Sequence, residues 1–111
     1  MSRHFVVVFD VEGADAARLD EVDRVRSAMD RVIALSGLHP VGAPAEHRFD
    51  PHGISRVQLM AESHVAVHTW PEIGSAYLTL VSCRAPEPQF EQAAADVLAT
   101  LWGGSVTVGR L

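Results

Sequence analysis

Between positions 61 and 72 the chain reads AESHVAVHTWPE, so that Glu62, Ser63, His64, His68 and Glu72 fall among residues that otherwise build strands. The Glu62-Ser63-His64 junction lies between two strand-like runs and contains no Gly, Pro, Asn or Asp. A reversal there uses residues that tight turns disfavour, which points to local strain. A serine hydroxyl is a weak nucleophile unless a base or a strained geometry helps it, and the tetrahedral species it forms needs an oxyanion partner. A histidine that titrates near neutrality suits proton abstraction. Two histidines on a strand could also hold zinc, but no cysteine or third histidine sits at ligand spacing nearby, so no metal is expected. Taken singly, each residue has a structural explanation. Cys83 fits a small core side chain, Phe49 and Trp70 fit core or interface positions, and Ser55 and Ser63 fit ordinary strand ends. Only their joint arrangement argues for chemistry.

The elements that must position these groups are legible from periodicity. Residues 4–11 read as a strand. From 16 to 36, Leu19, Val22, Val25, Met29, Val32 and Ile33 recur at helical steps, and Gly37 stands where a C-terminal cap belongs. Residues 38–49 carry Pro40, Gly42 and Pro44 and read as an irregular or edge strand. Strands follow over 54–61, with Ser55, Val57, Leu59 and Ala61 on one face, and over 64–70 and 75–83. A second helix begins after Pro86 and Pro88, with Phe90, Ala93, Ala94, Val97, Leu98 and Leu101 as its stripe, and Gly103-Gly104 stops it before a short strand at 105–108. The expected fold is α/β: a two-layer sandwich with a mainly antiparallel sheet and two helices on one face. The opposite face, with Trp70, Tyr77 and Val81, is then available to a second copy, and a homodimer is expected.

Composition narrows the function class. The chain has 111 residues, a single-domain length, with nearly half of them apolar and a formal charge of −5. All nine basic residues are scattered arginines, which excludes a basic nucleic-acid surface. One cysteine permits no intrachain disulfide and fits a reducing cytoplasm. The N-terminal apolar run is cut short by Asp10 and Glu12, too early for a signal peptide or a membrane span.

The ESH…HTWPE element closely resembles the signature of bacterial and archaeal S-adenosylmethionine decarboxylase proenzymes. Arg3-His4 before an apolar strand, His47-Arg48-Phe49 before a Pro-containing turn, Gly53-Ile54-Ser55, and Cys83 closing a strand extend the resemblance over most of residues 3–104. The resemblance implies a self-processing, pyruvoyl-dependent carboxy-lyase. Ser63 would attack the Glu62 carbonyl and end as the pyruvoyl group, so that the single domain 1–111 divides into a beta chain, 1–62, and an alpha chain, 63–111. Ser55 would assist this step, and His68 would be its proton acceptor. The pyruvoyl carbonyl would form a Schiff base with the substrate amine and act as an electron sink. Cys83 would be the proton donor after carbon dioxide leaves. Phe49 and Trp70 would stack on adenine and face the sulfonium, and Glu72 would accept from ribose hydroxyls. The product would be the aminopropyl donor for spermidine synthesis.

Several positions depart from the family pattern. Ile73-Gly74-Ser75 replaces the usual aromatic-Gly-aromatic, Thr79 stands where an acid is common, and Arg84 stands where a glycine is common. These keep two alternatives in view: an ornithine or arginine decarboxylase of the same chemistry, and a non-catalytic regulatory partner. The retained Ser63, His68 and Cys83 argue against the latter.

Overall fold

The computed structural model describes residues 4–111, and Arg3 of the Arg3-His4 start lies outside the described residues. Six strands are present, β1 (Phe5–Glu12), β2 (Ala45–Arg48), β3 (Ile54–Met60), β4 (Ser63–Trp70), β5 (Ser75–Ser82) and β6 (Ser105–Arg110), with helices α1 (Ala16–Leu19), α2 (Val22–Ser36) and α3 (Phe90–Trp102). The strands form one sheet in the order β2-β3-β4-β5-β1-β6, antiparallel throughout. The two-layer α/β expectation holds.

Alternation along the strands sorts the two faces. Val7, Phe9 and Val11 of β1, Val65 and Val67 of β4, and Leu78 and Leu80 of β5 are buried against α2 and α3. Phe9 meets Phe90 edge-on, with ring centroids 5.8 Å apart. On α3 the buried ridge is Phe90, Ala94, Leu98 and Trp102, a four-residue step, with Ala95 beside it. The expected stripe is thus rotated: Trp102 is fully buried while Leu101 is only half-buried. The larger ring takes the deeper site, where it removes more apolar surface from water.

Two expectations are refined. The helix expected over 16–36 is two helices, because Glu21 turns extended, at ψ 113°, directly after the capping residue Asp20. The Asp20 carboxylate accepts the Gly53 N–H at 3.1 Å and meets His52 Nδ1 at 2.9 Å, a tertiary demand that interrupts the local pattern. The irregular strand expected over 38–49 becomes a strap, residues 38–42, followed by the short exposed edge strand β2. Pro40 of the strap forms an isolated antiparallel bridge to Met60.

The sheet's second face carries Ser55, Val57 and Leu59 from β3, as expected, whereas Ala61, expected with them, lies past the strand's end in the turn. Register adds Ala66, His64 and His68 from β4 and Tyr77, Thr79 and Val81 from β5. Leu59 is 63% exposed and Trp70 43%.

Candidate active site

The β3–β4 hairpin gathers candidate residues at both of its ends. At the end away from its turn, Ser55 and His68 are direct cross-strand partners, and Ser55 Oγ lies 2.7 Å from His68 Nδ1. The loop before β3 folds back on this pair. Phe49 N–H donates to the Gly53 carbonyl at 2.8 Å. Gly53 has φ +108°, and a Cβ there would stand 3.0 Å from the Thr69 carbonyl oxygen, so both the conformation and the approach to β4 require glycine. Phe49, His52, Ser55, His68, Thr69 and Trp70 consequently line one pocket of about 520 Å³. The His68 and Trp70 rings are 6.2 Å apart. Glu72 sits in a neighbouring hollow with Ala16, Ala17, Asp20 and Pro71, and His52 lines both. The Gly53 N–H, and after it the His52 hydrogen bond, hold the Asp20 carboxyl below the usual range.

At the turn end, Met60 pairs with Ser63 across a two-residue link, Ala61-Glu62. Two-residue hairpin links that match strand twist need positive φ at one or both central residues. Neither Ala61 nor Glu62 has it; the irregularity falls on Ser63, at φ 154°. That conformation costs a non-glycine residue on the order of 1–3 kcal/mol. The strain expected from the absence of turn residues is therefore located at Ser63 itself. The Glu62 carbonyl oxygen accepts the Cys83 N–H at 2.9 Å. Cys83 is held at this point by a local turn: Ser82 Oγ donates to the Arg84 carbonyl at 2.6 Å and accepts the Arg84 N–H at 2.9 Å. The Cys83 thiol is exposed. The Glu62 carboxylate meets His39, which sequence reasoning missed, at 2.8 Å to Nδ1 and 3.0 Å to the backbone N–H. These hydrogen bonds, the ring's first, lower the Glu62 pKa.

The residues expected to act together thus fall into two groups. Ser55, His68, Phe49 and Trp70 meet in one pocket, Glu72 flanks it, and the Glu62-Ser63 peptide meets the Cys83 N–H. Ser63 lies five residues along β4 from His68. At the rise of an extended strand that is about 17 Å, beyond the reach of any side chain. His39, His52 and Asp20 carried no sequence signal, since each acts through a partner at least 23 residues away.

Comparison with known proteins agrees with this framework. The family model described as S-adenosylmethionine decarboxylase matches residues 5–108. An S-adenosylmethionine decarboxylase proenzyme of Aquifex aeolicus (strain VF5) is 32% identical over 84 residues, which is 76% of this chain and 62% of that protein. A proenzyme of the same name from Archaeoglobus fulgidus is 34% identical over 83 residues, 75% of this chain and 71% of that protein. The match thus spans less than two thirds of the length of the Aquifex relative. The crystal structure of the adenosylmethionine decarboxylase from Aquifex aeolicus VF5 superposes with a TM-score of 0.77 at 26% identity, covering 97% of this chain and 88% of that one. With the sheet order, the strained serine after Glu62 and a match over nearly its whole length, the chain belongs to the S-adenosylmethionine decarboxylase family.

Proposed function

We propose that this chain is a precursor that cleaves itself between Glu62 and Ser63, and that the processed protein decarboxylates S-adenosylmethionine. The observation that carries the reading is the junction: a serine at φ 154° follows a carbonyl whose oxygen is held by the Cys83 N–H at 2.9 Å. Ser63 Oγ adds to the Glu62 carbonyl carbon, and the Cys83 N–H donates to the oxygen on which negative charge develops. The C–N bond then breaks, the serine nitrogen takes up the hydroxyl proton, and an ester links residues 62 and 63. Leaving the amide also relieves the strained φ of Ser63.

A base next removes the Ser63 Cα proton. The Cβ–Oγ bond breaks, Glu62 departs as a carboxylate, and a dehydroalanine remains at the head of residues 63–111. Addition of water and loss of ammonia convert it to the pyruvoyl group. His68 suits the role of base: if its Nδ1–H donates to Ser55 Oγ, at 2.7 Å, Nε2 keeps a free lone pair. The span of about 17 Å between His68 and Ser63 along β4 means that one chain does not serve itself. We therefore assign the base to a second copy packed on the open sheet face, so that each site of a homodimer takes Ser63 and Cys83 from one chain and Ser55 and His68 from the other.

The pyruvoyl group supplies a carbonyl electron sink for an amine-bearing substrate. Phe49 and Trp70 offer flat faces to adenine and attraction to the sulfonium, and Glu72 accepts from the ribose. The Cys83 thiol, beside the junction, protonates the carbon that has lost carbon dioxide. The relatives' names favour S-adenosylmethionine over ornithine or arginine. Intact-mass measurement tests the processing: wild type should yield 1–62 and a blocked 63–111, and Ser63→Ala should stay whole. A folded wild type that remains intact, or a Ser63→Ala that still splits, overturns the reading. A processed protein that releases carbon dioxide from ornithine or arginine but not from S-adenosylmethionine overturns the substrate.

A further inference from the structure

The scissile residue has a second anchor besides the Cys83 N–H. Residues 38–42 run beside the end of β3 as a strap, held at several points. Val41 N–H donates to the Leu59 carbonyl at 2.8 Å, Ala61 N–H donates to the His39 carbonyl at 2.8 Å, and Pro40 bridges to Met60. Buried Gln58 donates from its amide to the Val41 and Gly42 carbonyls, at 3.1 Å each. Leu38, the first residue of the strap, is buried in the core. This fixing delivers His39 to the turn, where backbone N–H and ring Nδ1 take one oxygen each of the Glu62 carboxylate, at 3.0 and 2.8 Å. The pairing is unequal: the Glu62 side chain is 11% exposed, whereas that of His39 is 67% exposed. An exposed histidine supplies little packing, so its contribution is this grip.

We propose that His39 is a positioning residue for self-cleavage, gripping the Glu62 side chain so that the Glu62 carbonyl stays on the Cys83 N–H and in front of the Ser63 hydroxyl. The proposal rests on the self-cleavage reading above. The two-residue link has no glycine or asparagine to hold its shape, and the strained Ser63 φ has an easy escape if Glu62 rotates its peptide plane away from Cys83. Fixing Glu62 at both carboxylate oxygens and at its carbonyl closes that escape. The gain is in orientation, and orientation acts directly on the rate of an intramolecular step.

The test is the rate of appearance of the 63–111 fragment, followed by mass, in wild type, His39→Ala and His39→Asn. Melting of the same His39 variants is measured in the uncleavable Ser63→Ala background. His39→Ala should cleave about tenfold more slowly, the order expected for one lost charge-assisted hydrogen bond. Its melting in the Ser63→Ala background should be nearly unchanged. His39→Asn, whose amide Nδ2 stands close to the place of Nδ1, should restore most of the rate. Wild-type cleavage kinetics in His39→Ala would overturn the role and leave the self-cleavage reading standing. A rate loss that follows a matching loss of melting temperature, or one that asparagine fails to restore, would assign His39 to structure alone and also overturn it. A wild type that never cleaves removes the self-cleavage reading, and this role with it.

Discussion

The two ends of the β3–β4 hairpin hold their functional groups by different means. At one end Phe49, Ser55, His68 and Trp70 converge through their side chains on a single pocket. At the other, the junction is tied main chain to main chain, from the Cys83 N–H to the Glu62 carbonyl. Side chains can be deleted one at a time, whereas a backbone donor survives almost every substitution. The pocket end should therefore respond to substitution directly, and the turn end chiefly through Ser63 itself and the residues that set the backbone's place.

The largest expected effect asks whether the two ends work in one chain. His68→Ala should slow self-cleavage by about 10²–10⁴-fold, the usual contribution of a general base. Ser63→Ala should abolish it. Co-expressed in one cell, the two variants should restore cleavage of the chain carrying His68→Ala, because its Ser63 then meets an intact His68 on the other copy. Mass spectrometry of the mixture distinguishes this from cleavage within a chain, which predicts no rescue.

The next tests the backbone against the thiol at Cys83. Cys83→Ala keeps the N–H and should still split into 1–62 and 63–111, yet the processed form should turn over about 10²–10⁴-fold more slowly. Cys83→Pro removes the N–H and should block splitting. Fragment mass and carbon dioxide release, measured on the same samples, separate the two. Equal turnover by Cys83→Ala would return that residue to the standing of a small side chain at a strand end.

A smaller effect belongs to the aromatic pocket. Phe49→Ala or Trp70→Ala should leave self-cleavage unchanged and weaken substrate binding by about 1–3 kcal/mol, read as a rise in KM of roughly one to two orders of magnitude. A loss of cleavage in either variant would give that aromatic side chain a part in processing as well as in substrate binding.

The smallest concerns charge. Asp20 anchors the pocket loop and Glu62 the turn, and both carboxyls titrate below their ordinary values, Asp20 through Gly53 N–H and His52, Glu62 through His39. A lowered folded pKa means stability that is present above the unfolded carboxylate pKa and lost as pH falls through the folded one. The melting temperature of Ser63→Ala should hold near neutrality and fall below about pH 4. Adding Asp20→Asn should lower the melting temperature modestly at pH 7 and shrink the acid-side fall, whereas Glu62→Gln, which breaks a solvent-screened pair, should change it little. The variant with the larger change identifies the end that leans more on charge.

Local pattern was enough for much of this protein. The alternation in β3 placed Ser55, Val57 and Leu59 on one face, helical spacing marked α2 and α3, and the missing turn formers at Glu62-Ser63-His64 marked the strained site. These are properties of neighbouring residues, and side-chain direction repeats with the geometry of the element. What only the tertiary structure decided is which residues of different elements meet. Periodicity tells which face Ser55 occupies but not that His68 lies opposite it, nor that Ser63 is five steps further along, because register comes from turn geometry and long-range pairing. The break at Asp20 and the reach of His39 to Glu62 have the same origin: each is a hydrogen bond across 23 or more residues, satisfied only once the sheet has brought the partners together.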